Sequence, residues 1–184
     1  MRKNSTRAPR LLDLGGLWEL SLKLLGGRAA SMGELRAKLR LRAAAAEDVE
    51  TTISRLKDCG YLDDRRFAES FTAARLQNQG LGQRRVIQEL RRHRVAPALA
   101  ETTVRKTYET VNEVSLIESY IRRKFHRSGD GGIFGNERDL ASAYRRLLRA
   151  GFGGGNIIRV LKRFAANPDL VDQFEEEPSD EGDG

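Results

Sequence analysis

The chain has 184 residues, of which 39% are apolar and 32% are charged, so it can form one ordinary domain or a short array of smaller ones. Cys59 is the single cysteine, which excludes an internal disulfide and fits a reducing compartment. No apolar run reaches the length that spans a membrane, and no secretory signal follows the basic start. We therefore expect a cytoplasmic protein without a membrane contact.

The positive charge is unevenly distributed along the chain. The formal net charge is +7, yet residues 167–184 contain eight acidic side chains and neither Lys nor Arg. Removing eight negative charges from +7 leaves +15 on residues 1–166. This charge favours a polyanion, an acidic protein surface or both as the partner, although a basic surface can also be simply solvated.

An internal repeat organises the apolar residues. A shift of 51 residues places Leu39 on Leu90, and a further shift of 57 places Leu90 on Leu147. Because Ala, Leu and Arg are abundant and β-branched runs are few, each unit is predicted to hold three short helices. The predicted helices, in chain order, cover residues 12–25, 32–41, 46–59, 64–79, 83–93, 97–111, 113–126, 136–150 and 154–165.

The predicted fold class is all-α, with three tandem three-helix repeats. Each repeat is too small to bury much apolar surface alone, so we expect the repeats to stack into an elongated, curved array. A glycine-rich insertion, residues 127–137, is interpreted as a flexible loop because it lacks the Lys-Ser/Thr ending of a phosphate-binding loop. The predicted segments are a basic flexible arm (1–11), three repeats (12–62, 63–111 and 112–166) and an acidic disordered tail (167–184).

Local signals support several of these helix ends. Ser31 and Glu34 have the spacing of a capping box, and Pro97 suits a first helical turn. Asn136 can cap the helix that follows it, and Gly151 can end the helix that precedes it.

The most particular sequence lies in residues 60–91, where one helical unit meets the next. Gly60 can adopt the left-handed conformation that ends a helix, and Tyr61 and Leu62 can fold back as the apolar contact that follows such a cap. Phe67 begins the apolar face of the next helix. We predict that Tyr61 and Phe67 pack, buried, at the junction between the first two repeats.

This segment resembles the signature of the RecX family, the regulators of the RecA recombinase. The resemblance extends over roughly residues 17–166 and implies the same three tandem repeats. The turn after the second helix departs from the family pattern of a basic residue followed by Gly, since it reads His93-Arg94 in the second repeat and Ala43-Ala44 in the first. The matching residues, which we interpret as a structural junction, are Gly60, Tyr61, Leu62, Asp63, Asp64, Phe67, Ala68, Arg75 and Gly80.

Nothing in the residues supports catalysis, a cofactor or a metal site. The two histidines, His93 and His126, have no neighbouring Cys or His at metal-ligand spacing. Cys59 is expected to be a small buried apolar residue rather than a nucleophile. Either Asp63 or Asp64 is expected to cap the next helix, in preference to the two forming a catalytic carboxylate pair. We therefore predict that the protein is not an enzyme.

The resemblance implies a cytoplasmic regulator of recombination, DNA repair and the SOS response. Such a protein would be a monomer that binds RecA and its single-stranded DNA filament, and it would mostly inhibit the ATPase, strand exchange and co-protease activities of RecA. The alternative is a general nucleic-acid-binding helical repeat module without a recombinase partner. The sequence leaves open which face docks on the filament, whether DNA is contacted directly, whether RecA is inhibited or activated, and what the acidic tail does.

Basic side chains on the helices are the candidates for contact with RecA or DNA. They project from the polar faces, where a planar guanidinium can bind either phosphate or carboxylate. The candidates are Arg84, Arg85, Arg91, Arg92, Arg122, Arg123, Lys124, Arg145, Arg146, Arg159, Lys162 and Arg163.

Overall fold

The computed structural model describes residues 11–125 and 133–174, and over these ranges it is helical, with no β-strand. The all-α prediction is confirmed. A π-helical turn, Arg75–Gln79, follows α4, and a 3₁₀ helix, Pro168–Phe174, follows α9. The α-helices are α1 (Leu14–Gly27), α2 (Met32–Arg40), α3 (Ala46–Asp58), α4 (Asp64–Ala74), α5 (Gln83–Arg92), α6 (Pro97–Tyr108), α7 (Glu113–Lys124), α8 (Glu137–Arg149) and α9 (Gly154–Phe164).

Several sequence predictions concern residues outside the described ranges. They are the basic arm up to residue 10, the part of the glycine-rich insertion before residue 133, the acidic tail from residue 175, and His126.

The described residues form two compact units. Unit 1 contains the described chain up to Ala68 together with Leu90–Ala100, and unit 2 contains Glu69–Glu89 and the described chain from Glu101 onward. The division therefore passes through α4, α5 and α6, the helices of the predicted second repeat.

The core of unit 1 is built by α1, α2 and α3. Apolar residues at helical spacing, such as Leu35 and Leu39 on α2, turn one stripe of each helix inward and are fully buried. The buried cluster consists of Leu17, Leu35, Leu39, Val49, Ile53, Leu56 and Leu62.

The core of unit 2 lies among α7, α8, α9 and the 3₁₀ helix. Phe152, in the turn between α8 and α9, is its largest fully buried side chain and packs edge-on against the ring of Tyr120 at 5.5 Å. Val171 of the 3₁₀ helix is also fully buried in this cluster. The sequence predicted disorder from this stretch onward, whereas the burial of Val171 extends the folded part to Pro168–Phe174.

Three helices end in the same left-handed turn. The residue after the cap has positive φ at Gly60 (73°), Arg94 (58°) and Gly151 (91°). After each, backbone N–H groups bond back to the last turn, as when Phe152 donates to the carbonyl of Leu147. Gly151 thus ends α8 as predicted. Arg94 adopts, as a non-glycine residue, the conformation that glycine adopts most easily.

The capping signals are confirmed in part. Asn136 caps α8 by accepting from the N–H of Asp139 at 2.9 Å, and the hydroxyl of Ser31 accepts from the N–H of Glu34 at 3.0 Å. The Glu34 carboxylate does not complete the capping box. It accepts instead from the Arg28 guanidinium and lies 3.1 Å from His93 Nδ1, so only one half of the predicted box forms.

Candidate functional site

The family-motif residues meet around the start of α4. Asp63 caps that helix, because its carboxylate accepts from the N–H of Arg66 at 3.0 Å. This backbone hydrogen bond holds the pKa of Asp63 below its usual value, against a smaller effect of burial. Asp64 instead accepts from the N–H of Met32, the first residue of α2, at 2.7 Å. The two adjacent carboxylates thus bond to the first turns of two different helices, Asp63 at α4 and Asp64 at α2.

The burial predicted for Tyr61 is wrong. Tyr61 is 55% exposed, whereas Leu62 is 3% exposed and belongs to the core of unit 1. Of the two side chains that follow the turn at Gly60, it is Leu62 that folds inward. Cys59, also expected to be buried, is exposed, because it lies at the cap position beyond the apolar stripe of α3.

Phe67 and His93 lie together in unit 1. Their rings pack edge to face with centroids 5.6 Å apart, and Phe67 is half-buried. The hydroxyl of Ser31 donates to the carbonyl of His93 while it caps α2. Gly33 packs so closely on Arg94 that a Cβ at this position would overlap the Arg94 carbonyl oxygen. The first turn of α2 therefore rests on the turn that ends α5.

An equivalent arrangement occurs in unit 2 between the start of α5 and the end of α8. The N–H of Gly82 donates to the carbonyl of Ala150 at 2.8 Å, and that of Arg84 donates to the carbonyl of Gly151 at 3.3 Å. The first N–H groups and last carbonyl groups of helices lack partners within their own helix, so each end satisfies the other. We use the name junction turns for the contact between α2 and the end of α5 in unit 1 and the contact between α5 and the end of α8 in unit 2.

Two further residues of the family motif, Arg75 and Gly80, have a clear structural use in unit 2. Arg75 bonds to Glu89 at 2.7 Å and its guanidinium lies 4.5 Å from the centroid of the Phe71 ring. Gly80 has positive φ and lies against the guanidinium of Arg123, which donates to the carbonyl of Gln79. These residues fix the π-helical turn that ends the long α4 segment.

The twelve candidate cations lie on α5, α7, α8 and α9. Ten are exposed, and Arg85 and Lys162 are half-buried. Some are engaged within the protein, since Arg85 bonds to Glu89 at 2.8 Å and Arg163 to Glu118 at 2.7 Å. Of the twelve candidates, five have a side chain with no hydrogen bond, ion pair or ring contact within the part of the chain that the structure describes: Arg84, Arg92, Lys124, Arg145 and Arg159.

No group of three or more His, Cys, Asp or Glu side chains that could hold a metal ion occurs in the described part of the chain. No helix there is both long and apolar enough to cross a bilayer. The feature that sequence reasoning missed is an aromatic cluster of unit 1, in which Arg55, Trp18 and the exposed Tyr61 are in contact. Its sequence signal was the Tyr61 that the motif shares, interpreted as core.

Comparison with known proteins agrees with the motif. Residues 63–104 match the family model described as RecX, second three-helix domain. The regulatory protein RecX of Trichlorobacter lovleyi is 33% identical over 132 residues, covering 72% of this chain and 84% of the relative. The chain belongs to the RecX family. RecX of Amycolatopsis mediterranei is 30% identical over 162 residues, covering 84% of this chain and 88% of that protein.

The fold is that of solved RecX structures. The crystal structure of RecX from Lactobacillus salivarius superposes with a TM-score of 0.62 at 19% identity, covering 85% of this chain and 97% of that one. This likeness places the helices of the present RecX protein in a known all-α architecture.

Proposed function

We propose that this RecX protein binds the RecA–single-stranded DNA filament in the cytoplasm as a monomer and mostly inhibits RecA ATPase, strand exchange and co-protease activity. The observation that carries the proposal is the exposure of the cations on α5, α7, α8 and α9, in a chain that belongs to a regulatory family. A filament of acidic character offers many binding points to such a surface.

The mechanism that the residues offer is multivalent docking without catalysis. Arg84, Arg92 and Arg145 are exposed on folded helices and have no side-chain partner among the described residues. Binding therefore does not require internal ion pairs of these side chains to break. Several weak contacts held on one chain combine into a higher overall affinity, because each contact after the first forms at a high effective concentration.

Titration into the DNA-dependent ATPase reaction of the cognate RecA tests this function. We expect ATP hydrolysis to fall at substoichiometric amounts of the protein. An unchanged ATPase rate together with no binding to the filament would reject the proposal.

A general nucleic-acid-binding module is the alternative, and the same exposed cations would serve it. Simple phosphate binding weakens steeply with salt and does not distinguish a RecA filament from bare DNA. Retention of a preference for the filament as salt rises therefore separates the two functions.

A further inference from the structure

Unit 1 has a cluster of aromatic and cationic side chains at its surface, outside the buried core. Trp18 of α1 is half-buried, and the guanidinium of Arg55, from α3, lies over its ring at 4.3 Å from the centroid. Tyr61, in the turn between α3 and α4, packs on the same Trp18 with centroids 6.4 Å apart and ring planes at 78°. The edge-to-face contact leaves Tyr61 55% exposed.

The backbone holds Tyr61 in this exposed position. Gly60 has a φ of 73°, and the N–H of Tyr61 donates to the carbonyl of Leu56 at 2.9 Å. Leu62, the next residue, fills the core. The ring of Tyr61 is therefore presented to solvent by a fixed turn, with Trp18 packed against it at a steep angle between the ring planes.

Two guanidinium groups lie near the turn that presents Tyr61. Arg55 lies over Trp18, and the Arg66 guanidinium is 3.5 Å from the carbonyl of Gly60. Two of the three acids in this stretch already accept backbone hydrogen bonds, Asp63 from Arg66 and Asp64 from Met32. The third, Asp58, is exposed at the end of α3.

We propose that Tyr61 is a stacking platform for an unpaired base of single-stranded DNA, with Arg55 and Arg66 at the neighbouring phosphates. Every base has a π-face that stacks on an aromatic ring, whereas the bases of a duplex are already stacked on each other. An exposed ring with guanidinium groups nearby, Arg55 over the adjoining Trp18 and Arg66 at the carbonyl of Gly60, combines both requirements of single-strand binding, a stacking surface and positive charge. This site deepens the proposed function, on which it rests for its biological setting, by adding a direct DNA contact.

Binding to a labelled oligothymidylate in the absence of RecA tests the site. We compare wild-type protein with Tyr61→Ala and Tyr61→Phe, using fluorescence anisotropy. Stacking on an aromatic side chain corresponds to roughly a five- to hundredfold difference in affinity, so Tyr61→Ala should lose that much and Tyr61→Phe should retain most of it. Leu41→Ala removes another exposed apolar side chain of unit 1, 77% exposed, and should bind as wild type.

The effect must be specific to single strands. A duplex of the same length should bind wild-type protein and Tyr61→Ala with similar affinity, and circular dichroism should show equal helicity. Trp18 is the single tryptophan, so its fluorescence should change when the oligothymidylate binds wild-type protein. Arg55→Gln and Arg66→Gln should each weaken binding and reduce its dependence on salt.

Three results would overturn the proposal that Tyr61 is a stacking platform. They are oligothymidylate binding that Tyr61→Ala leaves unchanged, an equal loss for single strand and duplex, and no binding of single strands by the wild type. If Tyr61→Ala weakened binding to the RecA filament alone, the cluster would be a protein-docking site and the proposal would be wrong. The proposed function would survive each of these results as long as RecA ATPase still responded.

Discussion

The carboxylate of Asp64 accepts a hydrogen bond from the backbone N–H of Met32, 32 residues earlier in the chain, at 2.7 Å. Asp64 begins α4 but adds an acceptor at the start of α2, whose N-cap is Ser31, while its neighbour Asp63 caps α4. The bond ties the start of the second predicted repeat to the first helical turn of α2. The acidic pair therefore has a structural role at the starts of α2 and α4.

Replacement of Asp64 by Ala should destabilise the protein by about 1–2 kcal/mol, the usual effect of removing a helix N-cap, since Met32 then loses its acceptor. Asp63→Ala should have a similar or smaller effect, because Asp63 is exposed and water can replace it. Chemical denaturation followed by circular dichroism measures both. If Asp64→Ala were as stable as the wild type, the bond to Met32 would contribute nothing to the stability of the protein.

The junction turn at Gly82 predicts a strict requirement for glycine. A Cβ there would overlap the carbonyl of Gly151, so Gly82→Ala should cost about 1–3 kcal/mol, as for overpacked sites. Gly155, in the first turn of α9, provides the matched control because a Cβ there would have no atom within 4 Å. Gly155→Ala should be neutral or stabilising by up to about 1 kcal/mol. Equal melting temperatures for the two variants would contradict the proposed packing.

Arg94 provides the opposite test. Its φ of 58° is unfavourable for a residue with a Cβ, so Arg94→Gly should stabilise the protein by about 1 kcal/mol. Asn tolerates this conformation better than most residues, and Arg94→Asn should lie between the two. The melting temperatures from thermal unfolding give the order of stability of the wild type, Arg94→Asn and Arg94→Gly. A melting temperature of Arg94→Gly below that of the wild type would mean that contacts of the Arg94 side chain outweigh the backbone strain.

The carboxylate of Glu34 predicts a pH dependence of stability. Burial alone would raise its pKa, but hydrogen bonds and charges from Arg28 and His93 outweigh burial and hold the pKa below its usual 4.5. A lowered pKa in the folded state contributes stability above pH 4.5 that is lost as pH falls through the folded-state pKa. Glu34→Gln should therefore be less stable by about 1–2 kcal/mol near neutral pH, with the difference shrinking in acid.

Glu50 is the control for this pH dependence. It also bonds to two arginines, Arg36 and Arg40, but its side chain is 51% exposed, so Glu50→Gln should change stability much less. Denaturant unfolding at a series of pH values checks both variants. A stability difference between wild type and Glu34→Gln that stays constant down to strong acid would contradict the assignment.

Charge reversal on α5 tests the basic surface. Arg91→Glu with Arg92→Glu should weaken filament binding several-fold while helicity is retained, because both side chains are exposed. Arg105→Glu with Lys106→Glu makes the same change of charge at consecutive exposed positions of α6, outside the candidate set. We expect the double variant of α6 to bind the filament much more tightly than the double variant of α5. Equal losses would show that only the net charge matters.

The helices could be predicted from sequence because their signals are local. Asn136, Gly60 and Gly151 act within one turn of the helices that they begin or end. The partner of Asp64 is 32 residues away, and no local pattern indicates it. The choice between Tyr61 and Leu62 as the buried residue likewise depends on how α3 packs in unit 1.

The exposure of the candidate cations followed from the helical period, which separates apolar from polar faces. The partners of these cations within the protein could not be predicted in this way, because they are distant in sequence. Arg123 donates to the carbonyl of Gln79, 44 residues earlier, and Arg163 donates to Glu118, 45 residues earlier. Which cations remain available to a partner is therefore a property of the packing.

The central claim is tested most directly by comparing the affinity of this RecX protein for the RecA–single-stranded DNA filament with its affinity for the same DNA without RecA, over increasing salt. For phosphate binding alone, the logarithm of the binding constant falls linearly with the logarithm of the salt concentration. That dependence should be the same whether or not RecA is on the strand. We predict that the filament is preferred at low salt and that the preference persists or grows as salt rises. Equal affinity for filament and bare DNA at every salt concentration would contradict the proposed function.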